Sequence, residues 1–397
     1  MKKVFLAIFG IVLAYFIFLA IKTNQFYQKI YTPKSNHQNQ EKNTYNILLF
    51  GYGGGQHEGA YLTDTMMLFH LDLASKSAVL VSIPRDLWVK IPTKDKSPFY
   101  TKINAVYQTE LFPQNYPQIN PKYLGEKKDA HLAKFIIGGI FGLKIDNYVA
   151  IDFEGFKKAI DILGGVDVEV EKSFTDPQYP IEGKEKDLCD QETEKMFKEV
   201  EPFLNSGYNP DDKEKLLKSN QELDEFLKNA TESPHLAFPC RYEVLTFNKG
   251  KTHMDGEMAL KFVRSRHALG DGSDFARAKR QQLLLEAVKD KVLSLGFLTK
   301  IIPLLDQLGE HLKTDLTLSE IEKLSQAGLK ANQYQLKTYV LSTDDLLDEA
   351  VSTDGQYILI PKAGQDNWQK IQEMIENIIT GKNSPLTPTA TPKLTEP

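Results

Sequence analysis

Short apolar runs and helically spaced apolar positions alternate along this chain. Tyr45–Phe50 (YNILLF) is a compact apolar run closed by glycines, which predicts a buried strand. Thr65–Leu71 and Ala78–Ile83 predict the next two strands, separated by the turn-like Asp72–Ser77, and Trp88–Ile91 predicts another. His131–Leu143 and Phe153–Leu163 carry apolar residues at helical spacing, with Gly138-Gly139 and Gly164-Gly165 as breaks. Val166–Val170 (VDVEV) alternates strictly, as a half-exposed strand does. Tyr242–Phe247 predicts a strand, His253–Arg264 a helix, and Ser273 an N-cap for a longer helix running to about Leu295. Leu298–Leu312, Leu318–Leu329 and Trp368–Ile379 predict helices, and Thr338–Leu341 a strand. Strands alternating with helices imply an α/β or α+β sandwich of layers.

Three stretches depart from this pattern. Met1-Lys2-Lys3 precedes an uncharged apolar run from Val4 to Ile21. At about 1.5 Å per residue a helix there is roughly 27 Å long, enough to cross a bilayer core. The leading lysines predict a cytoplasmic head. A cleaved signal peptide is the competing reading, but no clean small-x-small site follows, which favours an uncleaved signal-anchor. The expected organisation is a head and transmembrane helix over residues 1–25, a stalk over 26–44, and all that follows outside the cytoplasm. From Glu182 to Ser233 the composition turns to Lys, Glu, Asp, Asn and Gln, which predicts a solvated helical insertion at about 176–238. The tail over 380–397 is rich in Pro and Thr and predicts disorder. One folded domain is expected over 45–295, with 296–379 as its C-terminal part.

Composition is that of an ordinary globular protein, 41% hydrophobic and 25% charged, with a formal net charge of -5. Against this mildly acidic background, Phe262–Gln282 (FVRSRHALGDGSDFARAKRQQ) concentrates Arg264, Arg266, Arg277, Lys279 and Arg280 around Asp271 and Asp274. Arginine offers a planar fork of donors that matches phosphate oxygens. Arg264 and Arg266 share one side of an extended segment, and Asp274, Arg277 and Gln281 share one helix face. The island predicts a phosphate ligand, and its position beyond the anchor excludes nucleic acid as the partner. The two cysteines, Cys189 and Cys240, both fall in the insertion region. An oxidising exterior permits a bridge between them, closing a loop of about 50 residues and contributing roughly 4 kcal/mol in the chain-entropy model; free thiols are the alternative.

Gly51-Tyr52-Gly53-Gly54-Gly55 follows a strand but has no Gly-Lys-Ser/Thr closure, and Gln56 stands where a dinucleotide fingerprint needs its third glycine. It is either a flexible turn or a place where backbone amides approach a ligand. Asp64, in Thr63-Asp64-Thr65, is a turn residue or a carboxylate that holds Mg²⁺ against a diphosphate. Ser82-Ile83-Pro84-Arg85-Asp86 ends an apolar strand, with proline stopping the pairing so that Arg85 and Asp86 emerge at a sheet edge, where open α/β folds gather ligands. Lys102, Asn104 and Tyr107 form a further polar cluster. His70, His253 and His267 lack metal-ligand spacing, and no serine lies in a nucleophile-elbow context.

Together these segments resemble the LytR-CpsA-Psr family of membrane-anchored cell-wall phosphotransferases. The resemblance is carried by the anchor, then NILLFGYGGG, LTDTMMLFHLD, VLVSIPRDLWVKIP, TKINAVY, IDNYVAIDFEGFKKAIDILGGVDVEV, KGKTHMDGEMALKFVRSRH and DFARAKRQQ, in the family's order over most of 45–295. It implies an α/β/α sandwich with a central mixed sheet, whose helices cover an apolar pocket for a polyprenyl chain; His131–Leu143 and Phe153–Leu163 are the candidate walls. It places the diphosphate-binding residues at Arg85, Arg264, Arg266, Arg277 and Lys102, the metal-associated aspartate at Asp64, and supporting polar positions at Asp86, Asp274 and Gln281. It also implies Mg²⁺ or Mn²⁺ as cofactor. The substrates would be a polyprenyl-diphosphate-linked glycan and a peptidoglycan acceptor. The alternatives are a polyprenyl-phosphate-binding protein without catalysis and a polyprenyl-diphosphate-glycan hydrolase. Two positions depart from the family pattern: Leu62 stands where Arg is usual before Thr-Asp, and Gly53 where the first motif usually has Asp.

Overall fold

The computed structural model describes residues 20–34, 42–55, 59–125, 129–204, 220–268, 274–292 and 301–381. It divides into two compact units, Met1–Val166 with Leu285–Pro397, and Asp167–Leu284, where the sequence pattern predicted one domain. Most of the predicted anchor lies outside the described residues. Among those described, no helix is long and apolar enough to cross a membrane.

The first unit is built on a six-stranded sheet of β1 (Thr44–Tyr52), β2 (Thr63–Asp72), β3 (Ser77–Ser82), β6 (Asn147–Asp152), β11 (Leu312–Thr314) and β12 (Gln335–Val340), in the order β11-β6-β1-β2-β3-β12. β1–β2, β2–β3 and β6–β11 pair antiparallel, whereas β1–β6 and β3–β12 pair parallel, so the sheet is mixed as expected. Its central strands are apolar on both faces, because both are covered, whereas the edge strand β12 is largely exposed. Leu48, Phe50 and Tyr52 of β1 face one core, and Tyr45 and Ile47 face another. The first core is completed by α2 (Ala105–Leu111), α3 (His131–Phe141) and α11 (Gln369–Thr380) through Val106, Ile137 and Ile375, among others. The second is covered by α10 (Leu318–Gly328) through Ile321, Leu324 and Ala327. These layers make the α/β/α sandwich.

Two hairpins are appended: β4 (Trp88–Ile91) with β5 (Phe99–Lys102), and β13 (Leu347–Val351) with β14 (Tyr357–Pro361). The end of the expected anchor and the start of the expected stalk form one helix, α1 (residues 20–30), followed by a strand-like contact of Tyr31 with Thr314. Tyr27 and Ile30 are buried, and Lys22 and Lys29 pair with Asp306 and Glu310 at 2.7 and 2.9 Å. The segment is therefore docked on the first unit rather than free of it. α4 (Phe153–Leu163) begins where Asp152 accepts the Gly155 N–H at 2.7 Å and packs against α9 (Ile301–Leu308).

The second unit holds the pairs β8 (Phe174–Pro180) with β9 (Tyr242–Phe247), and β7 (Val166–Val170) with β10 (Gly250–Met254), followed by α7 (Gly256–Arg264) and the start of α8 (Asp274–Val292). The helix predicted from His253 starts only after Asp255, which accepts the Met258 N–H; His253 itself is in β10 and pairs with Asp167. The predicted cap Ser273 lies outside the described residues. Between β8 and β9 the polar excursion carries α5 (Gln191–Leu204) and α6 (Gln221–Glu232). It is not merely a solvated run: Val200, Leu223, Phe226 and Phe238 form its own small core. Cys189 and Cys240 are bridged, and the Ile181 N–H donates to the Arg241 carbonyl at 2.8 Å, so the excursion is closed at its base.

A buried carboxylate ties α2 to α3. Glu110 accepts the N–H groups of His131 and Leu132 at 2.9 and 2.8 Å, capping α3 from another helix where its own N-cap, Ala130, has no acceptor. Burial raises Glu110 to about 7, against the downward pull of those two N–H groups. The folded-state value lies above the ordinary 4.5, so stability is greatest below about pH 4.5 and declines as pH rises through 7. Glu110→Gln must turn its amide N–H toward one of the two helix N–H groups. In chemical denaturation it should be less stable than the parent at pH 4.5 by about 1–3 kcal/mol, and the gap should narrow as pH rises to 8 and the parent loses its own contribution. A parent–variant difference independent of pH would refute this.

Candidate diphosphate-binding site

Arg85 and Asp86 sit in the loop that follows β3, and neighbouring strands hold its backbone. The carbonyls of Arg85, Asp86 and Leu87 accept the N–H groups of Asn104, Leu359 and Ile103 at 3.3, 2.9 and 2.8 Å. Three consecutive carbonyls are thus taken by the β5–α2 connection and by β14, which leaves the loop little freedom. Asp64 reaches the same place through a register break. Gly51 pairs with Thr65 and Tyr52 with Thr63, so Asp64 is the extra residue of a bulge on β2. Such bulges re-aim a side chain at a sheet end. Thr63 anchors the bulge, its N–H and hydroxyl both donating to the Asn104 carbonyl at 3.0 and 3.1 Å. Gly51 permits the close pairing there, since a Cβ on it would stand 3.2 Å from that of Thr65.

These side chains form a chain of alternating charge. Arg85 Nη1 donates to Asp64 Oδ1 at 2.8 Å, Arg85 Nε faces Asp86 Oδ2 at 3.5 Å, and Lys102 Nζ donates to Asp86 Oδ1 at 2.7 Å. Burial separates the two aspartates, while Arg85 and Lys102 are alike. The Asp86 side chain is 7% exposed, whereas those of Asp64 and Arg85 are 35% and 23% exposed. Asp86 therefore orients the two cations from beneath, while the Arg85–Asp64 contact faces solvent and is open to exchange. Arg85 Nε is buried without a hydrogen bond. A buried unused donor is costly, and the guanidinium gains by meeting an anion. Once an anion takes Arg85, the carboxylate of Asp64 is freed. One carboxylate together with substrate phosphates is a donor set that suits Mg²⁺, so the residues present fit the expected ion. Gly53 supplies no second carboxylate.

The glycine turn beyond β1 is a built feature. Gly54 has φ +75°, and a Cβ on it would come within 2.9 Å of the Asp152 Cβ. Asp152, not singled out by the sequence pattern, is committed elsewhere: it caps α4 and lies 3.0 Å from His311 Nδ1. His70 is structural, its Nδ1 2.7 Å from Asn46 Oδ1, and burial lowers its pKa.

In the second unit, Arg264 ends α7 and Arg266 follows in an irregular segment held by Asp176. One Asp176 oxygen accepts the Ser265 hydroxyl at 2.7 Å and the N–H groups of Arg266 and His267 at 3.0 and 3.2 Å. Burial alone would raise the Asp176 pKa, but these bonds and the Gln178 N–H outweigh it and hold the carboxyl below its ordinary value. Arg280 supports the same segment, donating to the carbonyls of Phe262 and Ser265 and lying over the Phe174 ring at 4.7 Å. Asp176 and Arg280 are thus positioning residues that the motif reading did not separate out. Asp176 belongs to β8, so the excursion proper starts after Pro180. Arg264 lies 5.8 Å from the Tyr179 ring centroid. Arg277 is buried on α8, with Gln281 one turn on; Asp274 opens that helix, and its side chain lies outside the described residues.

Of the two helices expected to wall a lipid pocket, α3 buries its inner face in the first core. It also lines a cavity of about 930 Å³ with Phe135, Leu143, Lys90, Lys134 and Trp368. α4 does not line that cavity.

The first unit is thus a mixed α/β/α sandwich with an arginine–aspartate cluster beyond its strand ends. The family assignment is direct: residues 14–374 match the LytR_cpsA_psr family, and the chain belongs to it. The Bacillus subtilis polyisoprenyl-teichoic acid–peptidoglycan teichoic acid transferase TagV is 24% identical over 86% of this chain and 68% of its own length. Enterococcus faecalis TagU, of the same description, is 22% identical over 96% and 99%. For Oceanobacillus iheyensis TagU the values are 24%, 74% and 66%. In fold, the crystal structure of B. subtilis TagV matches with a TM-score of 0.51 at 21% identity, over 86% of this chain and 99% of that one. A Streptococcus agalactiae protein, gbs0355, gives 0.53 at 17%, over 87% and 91%.

The Asp176 hub predicts a specific pH response. Asp176→Asn replaces an acceptor-only oxygen pair by a group that must turn an N–H toward other N–H groups, and it should cost about 1–3 kcal/mol at pH 7. Because the folded-state pKa of Asp176 is depressed, the parent's advantage is present above the ordinary 3.8 and shrinks as pH falls below it. Thermal unfolding of both proteins at pH 7 and pH 3 measures this; an equal gap at both values would contradict it.

Proposed function

We propose that this protein transfers a glycan phosphate from a polyprenyl-diphosphate carrier to a hydroxyl of cell-wall peptidoglycan. The observation that carries the reading is the Asp64–Arg85–Asp86–Lys102 chain, with its exchangeable Arg85–Asp64 contact and its buried unused Nε donor. The family's activity, as the names of TagU and TagV state it, supplies the substrates. Arg264, Arg266 and Arg277 match the family motifs that bind diphosphate.

The acceptor oxygen attacks the sugar-linked phosphorus in line. The bond from that phosphorus to the bridging oxygen breaks, polyprenyl monophosphate leaves, and the hydroxyl proton is released. Charge builds on the phosphoryl oxygens and the bridging oxygen, so positioned cations carry most of the catalysis and no covalent nucleophile is needed. Arg85 meets the diphosphate as Asp64 lets go of it, and Asp86 keeps Arg85 and Lys102 aimed. Asp64, once released from Arg85, would hold a divalent cation, which when bound would supply further charge neutralisation. The N-terminal run anchors the chain in the cell membrane, with the described units on the outer side beside the lipid carrier.

A second reading, a carrier-binding protein with weak or no catalysis, is favoured by Leu62 and Gly53, which remove one guanidinium and one carboxylate from the family pattern. The full chain in detergent, given polyprenyl-diphosphate-linked glycan, peptidoglycan and Mg²⁺, separates the readings. Transfer is expected, and Arg85→Ala or Arg266→Ala should lower it about 10²–10³-fold, the Arg85 variant also unfolding at a lower temperature because Asp86 loses one of its two cations. Retention of lipid without transfer by the parent supports the binder. Release of free phosphorylated glycan reveals a hydrolase. Undiminished transfer by both variants would overturn the site.

A further inference from the structure

The β4–β5 hairpin presents a face that the diphosphate cluster does not use. Its register pairs Trp88 with Lys102 and Lys90 with Tyr100. Val89 and Ile91, each 1% exposed, point into the core. Side chains alternate across a strand, so Trp88, Lys90, Tyr100 and Lys102 share the opposite face. The Trp88 and Tyr100 rings are nearly parallel, at an interplanar angle of 11° with centroids 6.2 Å apart. One end of this aromatic pair is joined to the cluster, since Lys102 donates to Asp86. At the other end the Tyr100 hydroxyl donates to Asp366 at 2.6 Å. Lys90 and Asp366 there open onto the 930 Å³ cavity, a volume in the range of ligand pockets.

We infer that the Trp88–Tyr100 face seats the first sugar of the donor, the one bonded directly to the diphosphate. A pyranose offers an apolar C–H face to the negative face of an aromatic ring, and its hydroxyls need polar partners at the rim. This surface has both: two rings, with Lys90, Lys102 and Asp366 around them. A prenyl chain fits it poorly, because it would desolvate those charges without pairing them. The donor sugar is favoured over an acceptor sugar by spacing. Directly opposed residues hold their Cβ atoms about 5 Å apart, so Trp88 stands one step from the cation that adjoins the diphosphate cluster. The sugar follows its phosphate by a single bond. The cavity beyond Tyr100 leaves room for the units that follow.

This inference rests on the carrier reading above, and the test keeps the two apart. Full-length protein in detergent is titrated with bare polyprenyl diphosphate, with polyprenyl diphosphate bearing one N-acetylhexosamine, and with a soluble peptidoglycan fragment. The parent should bind the glycosylated carrier about tenfold more tightly than the bare one. Trp88→Leu and Tyr100→Leu should each erase that preference and leave bare-carrier affinity unchanged, while Trp88→Phe retains it; the two Leu variants guard against misfolding of either. Equal affinity of the parent for both carriers, or equal loss for both in the variants, overturns the sugar seat alone. A loss confined to the peptidoglycan fragment reassigns the face to the acceptor and overturns it too. Failure of the parent to bind even bare polyprenyl diphosphate sinks the carrier reading itself.

Discussion

Capture of the Arg85–Leu87 backbone is the constraint on which the first unit's chemistry depends. Three successive carbonyls each accept a different N–H, two from the β5–α2 connection and one from β14. A loop held this way cannot trade one bond for another without leaving a buried polar group unpaired. The guanidinium of Arg85 is therefore preorganised, and Asp86 beneath it is locked between two cations. Preorganisation of this kind lets charges act on a phosphoryl group without reorganising at the moment of reaction. The C-terminal hairpin β13–β14 looks peripheral along the chain, yet it supplies one of the three bonds.

The second unit solves the same problem differently. There side chains hold the loop that carries Arg266. A single buried carboxylate, Asp176, gathers the donors instead, and Arg280 satisfies the carbonyls. Asp176 stays ionised because its hydrogen bonds outweigh its burial. Glu110 shows the opposite balance: two N–H groups are not enough, and burial pushes it toward neutrality. Similar carboxyl groups are thus set apart by the number of donors around them.

Much of the fold was legible from periodicity. β1, β2, β3, α3 and α4 fall within a few residues of their predicted spans because their apolar patterns are strong and uninterrupted, whereas no strand was predicted over β6. β5 and β8 were not found: TKINAVY reads as a helix start, and Phe174–Pro180 carries two prolines and an aspartate that argue against a strand. Pairing with β4 and β9 overrides those local preferences. The excursion was recognised by composition, but its small core was not, since the polar residues around it mask the few apolar ones, Leu223, Phe226 and Leu227, that stand at helical spacing. The candidate site was partly legible. Arg85, Asp86, Asp64 and Lys102 were marked by their motifs, whereas Asp176 and Arg280 had no signal that set a positioning residue apart from an ordinary charge.

By itself the sequence determined the family, the layered class of the fold, and which residue types could meet a phosphate. Those are properties of local pattern and ordered motifs, which survive in a linear string. Tertiary structure alone decided that the Asp64 side chain is aimed by a bulge, that Asp86 is buried and Asp64 exposed, that Asp176 holds the Arg266 segment, and that Trp88 and Tyr100 share a face with Lys102. Each of these depends on a register or a contact between residues distant in the chain. A shift of one residue in pairing would turn every such side chain to the other face.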